Sequence, residues 1–297
     1  MWLKIRRFKG LSLLQILLVG GLSLGFLLAG LILIWFATLN IPSIESFHTR
    51  KVAESTKIFD KTGKVLLYDV HGTIRRTLIP LEDVSHHARN ATIAIEDTEF
   101  YQHYGIKPDA IVRAVLTNIL IVLKIQDGFT QGGSTITQQV VKNTMLSREK
   151  TITRKIKEWV LAIKLDKQLP KDKILEIYLN ASPYGGTIYG IEEASQYFFA
   201  KSAKEISLAE AAYLAALPQA PTYYSPFGNH RDDLEKRKNL VLQRMLDSGF
   251  ISETEFTEAK AAVVEFQARD ENGIKAPHFV FYVREYLEET YGAEAVS

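Results

Sequence analysis

Hydrophobic positions fall into three patterns along the 297 residues. From Leu11 no charged side chain appears until Glu45, and the apolar run Ile16 to Leu39 exceeds the roughly 20 residues a helix needs to cross a bilayer core. Ser55 to Tyr68 then alternates apolar and polar around Asp60-Lys61-Thr62-Gly63, the pattern of a β-hairpin. A further strand-like run, Thr73 to Ile79, ends at Pro80, and the periodicity beyond it is helical almost to the C-terminus. Pro170 opens a helix over Lys171 to Asn180, Pro183-Tyr184-Gly185-Gly186 predicts a turn, and Ser207 is the expected N-cap of a helix over Leu208 to Leu217. Ala110 to Ile125 is apolar except for Arg113, Thr117, Asn118 and Lys124, and its Ile119 to Leu123 run covers every face of a helix, which suits either a central core helix or a segment pressed against lipid. The predicted fold is mainly α, with a small β element near a membrane.

Charge fixes the direction of the first segment. Lys4, Arg6, Arg7 and Lys9 precede the apolar run, so residues 1–10 are expected as a cytoplasmic basic tail, 11–39 as an uncleaved anchor, and the remainder outside. A cleavable signal peptide is the rival, but its apolar region is typically about 7–15 residues. The expected division continues with a membrane-proximal β element and linker over 40–85 and the main domain over 86–297. With 46% hydrophobic and 24% charged residues the chain can bury a large core. A formal net charge of +2 gives no reason to expect nucleic acid, and the absence of cysteine removes disulfides, thiolate nucleophiles and cysteine-ligated metals.

Three stretches carry candidate chemistry. In Ile93 to Gly105, helical spacing sets Glu96 at the edge of an apolar face, where partial desolvation raises a carboxyl pKa as a general base or acid requires. The alternative is a helix end with solvated acids. Gln131 to Asn143 combines a Gly-rich turn, the hydroxyls of Ser134 and Thr135, the amides of Gln138 and Gln139, and Lys142. These are groups that bond sugar hydroxyls and phosphate oxygens. If Ser134 caps the following helix, Gln138 and Lys142 share one face. Arg148 to Glu158 holds five cations and two carboxylates, and a helix from Thr151 sets Arg154 and Lys155 beside Glu158. That stretch reads either as a salt-bridged solvent face or as a pyrophosphate clamp with one embedded carboxylate.

In order, Glu96-Asp97-x-x-Phe100-x-x-His103-x-Gly105, Gly133-Ser134-Thr135-x-x-Gln138-Gln139-x-x-Lys142-Asn143, Arg154-Lys155-x-x-Glu158 and Lys171-x-x-Ile174-Leu175-Glu176-x-Tyr178-Leu179-Asn180 resemble the four main motifs of one family. That family is the peptidoglycan glycosyltransferases (transglycosylases), glycosyltransferase family 51, the polymerising domain of class A penicillin-binding proteins. Ala211 to Pro221 is similar to the fifth motif, and the resemblance spans Thr56 to Tyr291.

It implies a lysozyme-like, mainly helical domain with a membrane-facing jaw, here about residues 106–131. The implied substrates are lipid II and the growing glycan chain at a bacterial membrane. By resemblance Glu96 is the base that takes the acceptor 4-hydroxyl proton, and Glu158 is the second carboxylate, orienting groups or a metal around the pyrophosphate. Ser134, Gln138 and Gln139 would line the donor cleft. Lys142, Lys150, Arg154 and Lys155 would neutralise the leaving group. Asp97 and His103 would brace the first motif, and Glu176 and Asn180 would pack beneath the cleft. The resemblance leaves room for one divalent cation, Mg2+ or Mn2+, without naming its ligands. It also implies cell-wall synthesis proteins as partners.

Two positions depart from the family pattern: Lys150 stands where Arg is usual, and Lys107 where Asp is common. Ser147-Arg148-Glu149-Lys150 and Lys61-Thr62-Gly63 fit strings of penicillin-binding transpeptidases, but in reverse order and without the intervening motif, so both read as chance. Ala276 to Val280 and the helix to Tyr291 resemble the lead-in to a transpeptidase domain. The sequence leaves open whether the protein is monofunctional or the first part of a bifunctional one. The competing functions are a lysozyme-like glycan hydrolase and a non-catalytic cell-wall scaffold.

Overall fold

The computed structural model describes residues 18–27, 30, 34, 38, 56–63, 65–70, 75–110, 113, 133–146, 151–267 and 276–291. The chain divides into two units, Met1–Pro42 and Ser43–Ser297. In the first, residues 18–27 are helical and expose Leu18, Leu22, Leu24, Phe26 and Leu27. Among the described residues no helix is long and apolar enough to cross a membrane, and much of the expected 11–39 anchor lies outside them. The expected jaw over 106–131 also lies mostly outside them, as does Lys150.

The second unit is mainly helical. Helices α1 (His86–Glu96), α2 (Ile136–Thr144), α3 (Ile152–Gln168), α4 (Lys171–Ala181), α5 (Ile191–Phe199), α6 (Leu208–Ala216), α7 (Arg231–Asp247), α8 (Glu253–Ala261) and α9 (Pro277–Tyr291) follow in order. Helix α6 sits at the centre, packed against both α1 and α7, because its Leu-Ala-Glu-Ala-Ala-Tyr-Leu-Ala-Ala sequence presents small side chains on all sides. Every residue from Ala209 to Ala216 is buried. Ser207 starts it as the N-cap, as the sequence suggests, in a reciprocal capping box with Glu210, and Pro218 ends it in a short 3-10 turn. A second layer packs α2 against α3 and α4, with Leu161, Leu165, Ile174, Leu175 and Leu179 fully buried.

The predicted hairpin is present. Strands β1 (Thr56–Phe59) and β2 (Leu66–Val70) pair antiparallel, with Asp60 accepting from Thr62 Oγ1 at 2.8 Å and Gly63 turning at φ 69°. Ile58, Leu67 and Tyr68 pack on Val280, Val283 and Leu287 of α9. The Thr73 to Ile79 run corrects the sequence reading. Its described strand is only β3 (Arg75–Arg76), which pairs parallel with β5 (Ile188–Tyr189). Of the expected turn over Pro183-Tyr184-Gly185-Gly186, the first three residues form a strand, β4 (Pro183–Gly185), antiparallel to β5, and Gly186 makes the turn, so the second sheet runs β3-β5-β4. Alternation over two or three residues is too short a signal to separate a strand from a turn.

Asn180 ties the segment after β3 to α4. Its Oδ1 accepts from the Ile79 amide at 3.0 Å, and its Nδ2 donates to the Ile79 carbonyl at 2.8 Å. Glu176, one turn earlier, accepts from the Leu81 amide at 3.3 Å. The two side chains clamp the segment that enters α1.

Gly105 sets the approach of the turn after α1 to α3. It adopts φ 81°, and a Cβ there would lie 2.5 Å from the Ala162 carbonyl oxygen. Gly105→Ala should therefore cost about 2 kcal/mol or more from strain and overlap together. Urea denaturation of the variant should show a lower midpoint at an unchanged slope.

Candidate active site

The site forms where the C-terminus of α1 meets the N-terminus of α2. Asp97 follows α1 directly and is buried. Its Oδ2 accepts from the Ile136 amide at 3.1 Å and lies 2.8 Å from His103 Nε2. Lys107 approaches its other oxygen at 3.9 Å and pairs with Glu99 at 2.5 Å, so the lysine that departs from the family pattern folds back onto the acids of the first motif. Thr135, not Ser134, is the N-cap of α2. It forms a capping box with Gln138 and donates from Oγ1 to the Gly105 carbonyl at 2.6 Å. Lys171 adds a third tie, donating to the His103 carbonyl and to Asp166, each at 2.7 Å.

That docking brings Glu96 and Gln139 together, with Gln139 Nε2 donating to Glu96 Oε2. Glu96 is half-buried, and burial pushes its pKa up. The Gln139 hydrogen bond and the fields of Arg237 and Lys142 oppose the rise, while Asp97 adds to it. Tyr178 and Tyr184 lie buried near enough to Glu96 that, after burial itself, its charge raises both phenols.

A second cluster surrounds Glu158, which is only 1% exposed. Lys155 donates to its Oε1 and also to Ser134 Oγ at 2.8 Å. Arg154 Nη1 stands 3.6 Å from Oε2, and Gln138 Nε2 donates to Oε1 at 3.4 Å. The i,i+3 and i,i+4 spacings along α3 produce these pairs, but the carboxylate they share is buried, unlike that of a solvated charged face. Arg154 Nε and Glu158 Oε2 are both buried without a hydrogen-bond partner among the described residues. Lys142 links the clusters electrostatically. Desolvation lowers its pKa, Glu158 and Glu96 raise it, and Lys155 and Arg154 lower it further.

Glu96, Ser134, Gln139, Lys142, Arg154, Lys155 and Glu158 thus share one electrostatic neighbourhood. Gln138 does not suit the cleft-lining role expected of it. It is fully buried, its Oε1 accepts from the Thr135 amide at 2.8 Å and its Nε2 faces Glu158, so both ends of the amide are engaged inside the protein. Arg237, half-buried on α7, acts on Glu96 but escaped the sequence reading, because it sits in an ordinary-looking charged helix. Its Nε donates to the Ala216 carbonyl at 3.1 Å, which holds it at the end of α6.

A family model described as Transglycosylase matches residues 64–246. The chain belongs to the transglycosylase family. It carries the peptidoglycan glycosyltransferase domain found in class A penicillin-binding proteins. It is 40% identical over 254 residues to penicillin-binding protein 1A of Aquifex aeolicus, covering 85% of this chain and 34% of that protein. It is 37% identical over 245 residues to penicillin-binding protein 1F of Bacillus subtilis, covering 82% and 33%. The chain therefore spans about a third of the length of these relatives. A crystal structure of penicillin-binding protein 1A from Haemophilus influenzae aligns at TM-score 0.45 and 24% identity over 83% of this chain and 25% of that one; no detail of the site rests on that likeness.

The raised pKa of Glu96 has a stability consequence. A carboxyl whose folded pKa exceeds its unfolded value favours folding below the unfolded pKa, and that contribution is lost as pH rises through the folded pKa. Glu96→Gln should therefore melt at or above the wild-type temperature at pH 7, with the advantage shrinking as pH falls toward the ordinary carboxylate range. Calorimetric melts of both proteins between pH 4.5 and 8 check this.

Proposed function

We propose that this chain polymerises lipid II into glycan strands, with undecaprenyl pyrophosphate as leaving group and inversion at the anomeric carbon. The supporting observation is the nearness of one half-buried carboxylate with a raised pKa, Glu96, to three cations, Lys142, Arg154 and Lys155, gathered around the single buried carboxylate of Glu158. Glu96 takes the proton from the acceptor sugar's 4-hydroxyl, and a raised pKa strengthens it as a base. The freed oxygen attacks the donor's anomeric carbon, and the bond to pyrophosphate breaks with its electron pair. Such a leaving group needs charge neutralisation rather than a proton donor. Lys142, Arg154 and Lys155 provide it, together with Lys150. An arriving diphosphate would relieve the mutual repulsion of Lys142, Lys155 and Arg154. Glu158 holds those cations in place, and Ser134 positions the Lys155 ammonium.

A divalent cation suits the described residues poorly. No three His, Asp or Glu side chains converge among them, and Glu158 is already countered by Lys155 and Arg154. The steps above accordingly use none. The domain is lysozyme-like in architecture, yet hydrolysis needs a second carboxyl free to act as acid or base, and Glu158 is buried between two cations. We place the domain outside the cytoplasmic membrane of a bacterium, held by the apolar segment over 11–39 with the basic tail inside.

Assay with labelled lipid II tests the proposal. Glu96→Gln should reduce polymer formation by about a hundredfold or more. The wild-type rate should climb with pH through the raised Glu96 pKa, and shortening of uncrosslinked glycan without new polymer would show a hydrolase instead. Lys155→Ala should raise the KM for lipid II about tenfold through the lost charge-assisted contact. An unchanged KM with a lower melting temperature would make Lys155 purely structural.

A further inference from the structure

A cavity of about 500 Å³ opens beside the first motif, with His86, Arg89, Asn90, Tyr101, Gln102 and Phe250 among the residues that line it. Neither Glu96 nor any cation of the Glu158 cluster borders it. Three elements build its wall. Positions 86, 89, 90 and 93 recur at helical spacing along one face of α1. The turn after α1 carries Tyr101 and Gln102, and is anchored where Tyr101 Oη donates to Asp172 at 2.9 Å. Phe250 is delivered by the end of α7, where Gly249 at φ 71° turns the chain and the Phe250 amide closes onto the Met245 carbonyl at 2.9 Å.

The polar groups of this wall are unspent. Arg89 is half-buried, and neither it nor Asn90 nor Gln102 makes a side-chain hydrogen bond or ion pair among the described residues. The nearby acids are committed elsewhere, Asp172 to Tyr101 and Glu255 to the Ser252 cap at 2.8 Å. A half-buried guanidinium facing a concavity is matched by an oxyanion, and its planar fork fits the two oxygens of a carboxylate. Two primary amides beside it match the alternating N–H and C=O groups of a peptide backbone. The open ring of Tyr101, 55% exposed as a residue, and the half-buried Phe250 give apolar surface for small side chains. A neutral saccharide would leave the guanidinium charge unanswered.

We infer that this cavity binds the terminal carboxylate of a short peptide. For its source the inference rests on the function proposed above, since the pentapeptide stems of lipid II and of the strand made from it end in such a carboxylate. Arg89 takes the carboxylate, Asn90 and Gln102 take the last peptide groups, and Tyr101 and Phe250 cover the side chains. The site holds stems while the sugars react at Glu96.

The test titrates the full chain in detergent micelles with soluble stem pentapeptide, either as the free acid or as its C-terminal amide, and follows the peptide resonances by NMR. The free acid should bind, with amidation and Arg89→Gln each weakening it about tenfold, Arg89→Lys recovering part of the loss, and Gln102→Leu costing severalfold. Equal binding of acid and amide would overturn the inference, as would wild-type affinity in a folded Arg89→Gln protein. Displacement of the peptide by a phosphoglycolipid inhibitor of polymerisation would likewise overturn it by placing the peptide in the cleft. If Arg89→Gln fails to fold, the acid-against-amide comparison on the wild type and the Gln102→Leu titration decide. Carboxylate-dependent binding by a protein that makes no polymer from lipid II would sink the polymerase reading and leave the cavity assignment standing.

Discussion

The site depends on one buried carboxylate, that of Asp97. By accepting from the Ile136 amide and pairing with His103, it fastens the end of α1 to the beginning of α2. An aspartate in this place does two things at once. It answers a backbone donor that the first turn of α2 would otherwise leave orphaned, and it sets its negative charge against the positive end of that helix. Because α1 ends one residue earlier, the register of Glu96 is fixed by the same contact, and Gln139 arrives opposite it. The Gly105 approach to Ala162 and the Thr135 hydrogen bond to Gly105 extend the junction to α3, the helix that carries Arg154, Lys155 and Glu158. Motifs far apart in sequence are thus tied by side chains that bond the backbone of the neighbouring element.

Electrostatically the site disfavours the charged form of two of its groups. Glu96 is pushed toward its protonated form by burial, while Lys142 is pushed toward its neutral form by burial and by two neighbouring cations. Either group alone would relax by changing protonation or by taking up water. Together they describe a cleft with a base at one end and unsatisfied positive charge at the other. That is the polarity a reaction needs when it removes a proton from one substrate and releases an anionic group from the other. The buried Glu158 keeps the cations from splaying apart without cancelling all of them.

The cavity beside the first motif shares its framework with the cleft. Tyr101 belongs to the turn that Asp97 and His103 organise, and Arg89 lies two turns before Glu96 on the same helix. A ligand held there would bear on the helix that sets the base.

The sequence by itself determined the local chemistry. Helix α6 was legible from Ser207 and Pro218, and the first hairpin from its alternation around Asp60 to Gly63. The pairing of Arg154 and Lys155 with Glu158 followed from spacing along one helix. In each case the interacting groups lie within a few residues, so the backbone period alone brings them together. Tertiary structure decided what crosses between elements. It made Thr135 the cap rather than Ser134, because only Thr135 can also reach the Gly105 carbonyl while Ser134 faces Lys155. It withdrew Gln138 into the core, brought Arg237 within the field of Glu96, and paired Arg75–Arg76 with a strand more than a hundred residues away. Burial, and with it the direction of every pKa shift in the cleft, arises from neighbours supplied by other elements. Periodicity can place a carboxylate at the edge of a face, but only the packed chain determines how little water reaches it.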